Sequence, residues 1–277
     1  MSRDELDPRA LLQKHGLRAK HSWGQNFLSD PWALEQIAEA THAGPGTALL
    51  ELGPGLGHLT RALLDTGASV TAVERDRDMV KVLRGAALPG LKLVEANAAD
   101  VDFAATAGVD QVTVVGNLPY HLTSPILFQV LDQHAHVPRA VFTLQKEVVT
   151  RLTAEPGGRD YGILTVMLGL HYLAEQVAEL PARLFHPPPK VDSAVLRLDR
   201  LPAPRAAVTD EAHFRRVVKA AFAQRRKTLL NSLKSDASLG DGPAIAAALA
   251  RAGVDAQRRA ETLSVPEFAA VERALSG

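Results

Sequence analysis

TALLELGPGLGHLT, residues 47–60, decides the fold. A short run of apolar, strand-forming residues stops at Gly53, Gly55 and Gly57 and passes directly into HLTRALLD, which is spaced as a helix. A buried strand turning through glycine into a helix is the building unit of an open α/β sheet. Glycine allows the tight turn and lets a ligand come close to the backbone. The next apolar run, SVTAVE at 69–74, ends on Glu74, where a carboxylate can accept from both hydroxyls of a ribose. A plain strand-to-helix turn would explain the glycines but not the acid. The pair points to an adenosine-containing cofactor and leaves open which one, since dinucleotide folds use the same residue types. The G-x-G-x-G spacing mildly disfavours a pyrophosphate.

Working outward, LKLVEA, QVTVVGNL and AVFTLQ read as further buried strands separated by helix-spaced segments. Such alternation implies a mostly parallel sheet covered by helices on both faces. AEPGGRDYG at 154–162 reads as a mobile loop, a helix and two strands near 171–179 and 193–198 complete the sheet, and LPAPRAAV at 201–208 reads as a linker. VVKAAFAQRRKTLLNSL and AIAAALARAG carry helical periodicity to the end. The expected organisation is a catalytic α/β domain over 1–203 and a small all-helical domain over 204–277.

Composition limits the classes. With 46% apolar and 22% charged residues the chain has an ordinary core-forming balance. It holds no run of roughly 18 apolar residues and no signal-peptide core, so a cytoplasmic protein with no membrane partner is expected. The absence of cysteine excludes disulfides and thiolate chemistry, and the ten histidines show no ligand spacing, so no metal is expected. Ser193 beside Asp192 lacks a glycine elbow, which leaves a hydrolase unsupported.

Asn117-Leu118-Pro119-Tyr120 follows the QVTVVG strand, at the carboxyl edge of the sheet where open α/β folds bind ligands. An aromatic amino nitrogen is a poor nucleophile because its lone pair is delocalised into the ring. An Asn oxygen and a main-chain carbonyl accepting from both amino hydrogens would draw that nitrogen toward tetrahedral geometry and aim it at a methyl donor. Pro119 would hold the backbone, and Tyr120 would stack on the base.

Net charge is zero, but its distribution is uneven: residues 201–277 hold twelve Lys and Arg against eight Asp and Glu. Residues 212–235 contain Arg215, Arg216, Lys219, Arg225, Arg226, Lys227 and Lys234 with no acid. An amphipathic helix with one cationic face is expected there, and Arg225, Arg226 and Lys227 are the candidate phosphate contacts. Lys190 in PPPKVDS is a further RNA candidate. Lys14, Arg18 and Lys20 form a smaller basic patch.

HSWGQNFLSD, LELGPGLGHLT, VVGNLPYHLTSPI, LQKEVVTRL, FHPPPKVDSAVLRL and FAQRRKTLLNSL together resemble the ribosomal RNA adenine dimethylases, of the bacterial KsgA type, from about residue 15 to 273. The resemblance implies a class I S-adenosylmethionine methyltransferase with a Rossmann-like, seven-stranded sheet. The implied reaction forms N6,N6-dimethyladenosines at two adjacent adenosines in a hairpin loop near the 3′ end of 16S rRNA, within the immature small subunit, by a monomer. Carried over residue by residue, Gln25, Asn26 and Leu28 form a flap on the cofactor. Gly53 lies at its amino-acid part and Glu74 on its ribose, Gly55 and Gly57 belong to the same cofactor-binding loop, and Asn117 serves both cofactor and target. Leu118 supplies the main-chain carbonyl, and Tyr120 and Phe185 are similar to the base-stacking aromatics. One departure stands out: Ala96-Asn97-Ala98 replaces the family's G-D-A, so Asn97 offers the cofactor's adenine an acceptor without a charge.

Three rivals remain. A nicotinamide-dependent dehydrogenase explains the glycines and Glu74 but gives NLPY no role. A non-catalytic assembly factor fits poorly with an intact Asn117 and Tyr120. A large-subunit rRNA adenine methylase of the resistance type shares the catalytic motifs, and only FHPPPKVDS and FAQRRKTLLNSL speak against it.

Overall fold

A computed structural model describes residues 7–20 and 23–277. α1 (Pro8–Lys14) and β1 (Phe27–Leu28) form an N-terminal arm. Helices and strands then alternate: α2 (Pro31–Ala40), β2 (Ala48–Leu52), α3 (His58–Asp65), β3 (Ser69–Glu74), α4 (Arg77–Ala86), β4 (Leu91–Glu95), α5 (Phe103–Ala107), β5 (Thr113–Asn117), α6 (Thr123–Asp132) and β6 (Arg139–Gln145). α7 (Lys146–Leu152), α8 (Ile163–His171), β7 (Tyr172–Leu180), β8 (Phe185–His186) and β9 (Ser193–Arg200) follow. α9 (Glu211–Phe222), α10 (Leu229–Leu233), α11 (Gly242–Arg251) and α12 (Val265–Ser276) end the chain.

The seven-stranded sheet has the order β4-β3-β2-β5-β6-β9-β7. β2 pairs in parallel with β3 and β5, β3 with β4, and β5 with β6, while β9 runs antiparallel to β6. The chain winds outward from β2 in one direction and from β5 in the other. The crevice at their carboxyl ends is therefore the topological switch point, where ligands bind in such sheets. The expected mostly parallel sheet is borne out. β4 differs from its reading as a buried strand: it is an edge strand with Lys92 and Glu95 exposed, because only one neighbour covers it.

Strand alternation places Leu49, Val70, Val115, Val141 and Val195 against α2 and α3, where Leu34, Ile37 and Leu63 complete a buried cluster. Each such aliphatic side chain contributes about 1.5–3 kcal/mol relative to being left in water. Asp30 caps α2 by accepting from Ala33 N at 3.0 Å, with Pro31 in the first turn where no N–H is needed.

Two compact units emerge, and the expected division at 203/204 is redrawn. One runs to Val149 and resumes over Glu175–Arg200; the other holds Thr150–Ala174 and Leu201–Gly277. The second unit thus takes in α8 and the loop before it. That loop is anchored rather than free: Tyr161 is buried with its ring 6.4 Å from Phe222, Phe222 stacks on Phe268 at 5.8 Å, and Gly157 N donates to Glu261 O. The expected linker is pinned as well, since Leu201 N and Arg205 N donate to the His171 and Leu170 carbonyls at 2.8 Å. Residues 212–235 are not one helix. α9 stops at Phe222 and α10 begins at Leu229, capped by Thr228. Apolar spacing alone did not reveal the break, because Leu229 and Leu233 continue the helical period across it.

Candidate active site

A cavity of about 250 Å³ opens at the carboxyl ends of β2, β3 and β5. Its wall brings together Gln25, Asn26 and Leu28 from the arm, Gly53 and Gly55, Glu74, Asn97, the Asn117-Leu118-Pro119-Tyr120 segment, and Phe185. Residues up to 160 positions apart in sequence thus meet on one surface. Gly57, Arg225, Arg226, Lys227 and Lys190 are outside it.

The three glycines serve different ends. All have positive φ, but a Cβ on Gly53 would meet nothing within 4 Å, so its face is open to a ligand. A Cβ on Gly55 would come within 3.0 Å of the Phe27 ring, and one on Gly57 within 2.8 Å of Leu83. Gly57 thus meets the tight turn into α3 and the close approach of Leu83.

Glu74 is buried, with Oε1 accepting from Asp76 N at 2.8 Å and Oε2 from Gly55 N at 3.2 Å. Burial pushes its carboxyl up, and the two amides work against that. Asn97 donates to Asp100 Oδ2 at 2.7 Å and accepts from Ala99 N at 3.4 Å, so its amide is oriented within its own loop while still lining the cavity.

Asn117 ends β5, and its Nδ2 donates to the Asn26 carbonyl at 2.9 Å. That bond uses one of the two Nδ2 hydrogens and fixes the amide's orientation, in which Oδ1 is the acceptor the side chain offers a ligand. Pro119 leads into a single 3₁₀ turn at Tyr120–Leu122. Tyr120 is half-buried and shares a hydrogen bond of 3.1 Å with Ser193 Oγ, which β9 buries completely. Burial raises the phenol pKa and the Ser193 contact lowers it, with the first prevailing. β1 pairs antiparallel with β8 so that Leu28 sits opposite Phe185, which carries the arm to the aromatic side of the cavity.

The arm is held by charge. Lys20 Nζ meets Asp76 at 2.7 Å and Asp78 at 2.8 Å, and Gln25 bridges Lys20 N and Asp76 Oδ2. Burial raises the Asp76 pKa, but Lys20, Asp78 N and Gln25 overcome it and hold the carboxyl below its ordinary range. Lys20, read in sequence as part of a basic patch, is thus an anchor. Trp23 on the cavity wall lies under the guanidinium of Arg75 at 4.5 Å and Lys20 at 5.1 Å.

Sequence reasoning missed Trp23, Glu51 and the positioning of Tyr120 by Ser193. Glu51 had a signal: an acid inside the apolar run ALLEL. Trp23 and Ser193 had none, since each depends on contacts between distant segments. Lys190 is exposed in the loop before β9. Arg225, Arg226 and Lys227 are exposed in the turn between α9 and α10, and Arg225 donates to the Arg159 carbonyl.

A profile described as "Ribosomal RNA adenine dimethylase" matches residues 16–276. The Ribosomal RNA small subunit methyltransferase A of Myxococcus xanthus (strain DK1622) is 68% identical, covering 97% of this chain and 95% of its own length. The crystal structure of a dimethyladenosine transferase from Plasmodium falciparum aligns with a TM-score of 0.77 at 24% identity, covering 88% of this chain and 95% of that one. That of the 23S rRNA methyltransferase ErmE aligns with a TM-score of 0.70 at 29% identity, covering 91% and 100%.

Proposed function

The chain belongs to the ribosomal RNA adenine dimethylase family, and from that membership we propose that it methylates, with S-adenosylmethionine, the N6 amino groups of two adjacent adenosines in a hairpin loop near the 3′ end of 16S rRNA, acting as a cytoplasmic monomer on the immature small subunit. The observation that carries this reading is Asn117: a side chain whose nitrogen is tied to Asn26, on the wall that also holds Gly53, Glu74 and Tyr120. A small-subunit enzyme is favoured over a large-subunit one because a relative 68% identical bears the small-subunit name, against 29% identity to ErmE.

The residues fit the cofactor. Gly53 leaves room beside the backbone, Glu74 can accept from ribose hydroxyls, and the Asn97 amide can meet an adenine edge. The match of residues 16–276 to the ribosomal RNA adenine dimethylase profile counts against a dehydrogenase. When bound, S-adenosylmethionine supplies an electrophilic methyl group on a sulfonium.

The chain's own residues do the rest. Asn117 Oδ1 and the Leu118 carbonyl accept from the two amino hydrogens of the target adenine and gather its lone pair on nitrogen. Tyr120 and Phe185 hold the ring by stacking, which still works once one amino hydrogen has become methyl. The target base must leave its loop to reach this depth. Leu28, Leu118 and Phe185, all buried, keep water from the reacting atoms. Proton loss follows methyl transfer, and no residue is assigned as a base.

Asn117→Ala is expected to lower kcat by about 10²–10³ at saturating cofactor, by analogy with removal of one transition-state hydrogen-bond partner. In cells lacking the protein, N6,N6-dimethyladenosine should vanish from 16S rRNA and return with the wild-type chain but not with the variant. Near-wild-type turnover by the variant, or dimethyladenosine undiminished in the deletion, would overturn the reading.

A further inference from the structure

Val191 stands 46% exposed, and its segment is tied to the cavity at both ends. Upstream is Phe185, on the cavity wall; downstream is Ser193, whose hydroxyl shares a hydrogen bond of 3.1 Å with that of Tyr120. Residues 186–192 therefore link the supports of the two aromatics that hold the target base, and finger and cavity belong to the same compact unit. The finger is stiff. Three consecutive prolines, Pro187, Pro188 and Pro189, fix their φ angles. Asp192 closes its base, with Oδ1 accepting from Ala182 N at 2.8 Å and its carbonyl from Lys146 N at 3.0 Å. Beyond Asp192 the chain is locked into β9, where Ser193 is fully buried. Pro188, Lys190 and Val191 are left exposed at the tip. A branched apolar side chain with few rotamers, held in water on a stiff loop, gains nothing there from the rest of this chain.

We propose that Val191 is a wedge that enters the RNA at the position the target adenine vacates, between the two flanking nucleotides. Drawing a base out of a stack deprives its neighbours of a stacking face. An apolar side chain pushed between them restores that contact and opposes the return of the base. The place fits: Phe185 leads into the finger and Ser193, which holds Tyr120, leads out of it, so the finger rises beside the aromatics that receive the base. Stiffness matters as well, since the prolines have already removed freedom that a floppy loop would lose on binding. Lys190, next to the wedge, supplies a cation for the adjoining phosphate. Val191 reaches no reacting atom and is a positioning residue. The inference rests on the adenine-methylation reading.

Three measurements on the full chain and its Val191→Ala and Val191→Leu variants test this. They are methyl transfer to small subunits purified from cells lacking the protein, affinity for S-adenosylmethionine, and fluorescence of a 16S 3′ hairpin carrying 2-aminopurine in place of a target adenosine. 2-Aminopurine brightens when it leaves a stack. Val191→Ala is expected to lower kcat/KM for methyl transfer about tenfold, the scale of withdrawing two buried methyl groups, and to leave S-adenosylmethionine affinity within about twofold. It should also shrink the fluorescence rise that the wild type produces on binding. Leucine keeps the apolar bulk and should hold transfer within about threefold of the wild type, with the fluorescence rise restored. Unchanged transfer, lost transfer with an undiminished fluorescence rise, no rise with the wild type, or a parallel loss of cofactor affinity would each overturn the wedge. A wild type that transfers no methyl group to the subunits would overturn the adenine-methylation reading itself. If Val191→Ala does not fold, Val191→Thr, which keeps the branched shape and adds a hydroxyl, must show the same losses.

Discussion

Asn117 and Tyr120 stand three residues apart, yet each is oriented by a different distant segment. The arm carbonyl of Asn26 takes one amide hydrogen of Asn117, and Ser193 on β9 holds the Tyr120 hydroxyl. A stacking ring is useful only in one orientation, so Ser193 is expected to act through Tyr120 as a positioning residue. Ser193→Ala should lower kcat/KM for RNA by roughly 3- to 10-fold, the scale of one neutral hydrogen bond. Tyr120→Phe should lose a similar amount, and the double variant no more than either single one. Additive losses would show that the two side chains act separately. Asn97 is oriented from within its own loop, its amide aligned by Asp100.

At the scale of elements, the turn between α9 and α10 concentrates the cationic residues. Arg225, Arg226 and Lys227 stand exposed where the helix breaks, so they form a compact knob rather than a stripe along one face. Replacing all three with Ala should reduce the slope of log K against log salt for RNA binding by about 2, given roughly 0.7 counterions released per phosphate contact on single strands. Binding measured from low to moderate salt checks this, and an unchanged slope would remove the knob from the RNA interface. The arm shows the opposite use of charge: Lys20 spends its cation on Asp76 and Asp78 and helps fix the wall that carries Trp23.

For the whole molecule, stability should vary with pH in a way that can be assigned. Glu267 pairs with Arg258 and closes the capping box of α12 with Ser264. Hydrogen bonding to Arg258 holds its carboxyl down to about 2. A depressed carboxyl stabilises above its unfolded pKa, and that contribution is lost as pH falls through the folded value. The wild type should therefore lose more Tm between about pH 5 and 2 than Glu267→Gln does, and parallel curves would sink the assignment. By itself the sequence determined the α/β sheet, the glycine turn, Glu74 and the NLPY segment, because each depends on local periodicity or on residues adjacent in the chain. It misplaced the second unit's boundary and the ends of α9 and α10. Only the tertiary structure decided those, along with the Asn26–Asn117 tie, the Ser193–Tyr120 contact and the burial of Glu51. The physical reason is that burial and side-chain pairing are set by segments far apart in sequence, and no local pattern encodes which of them will meet.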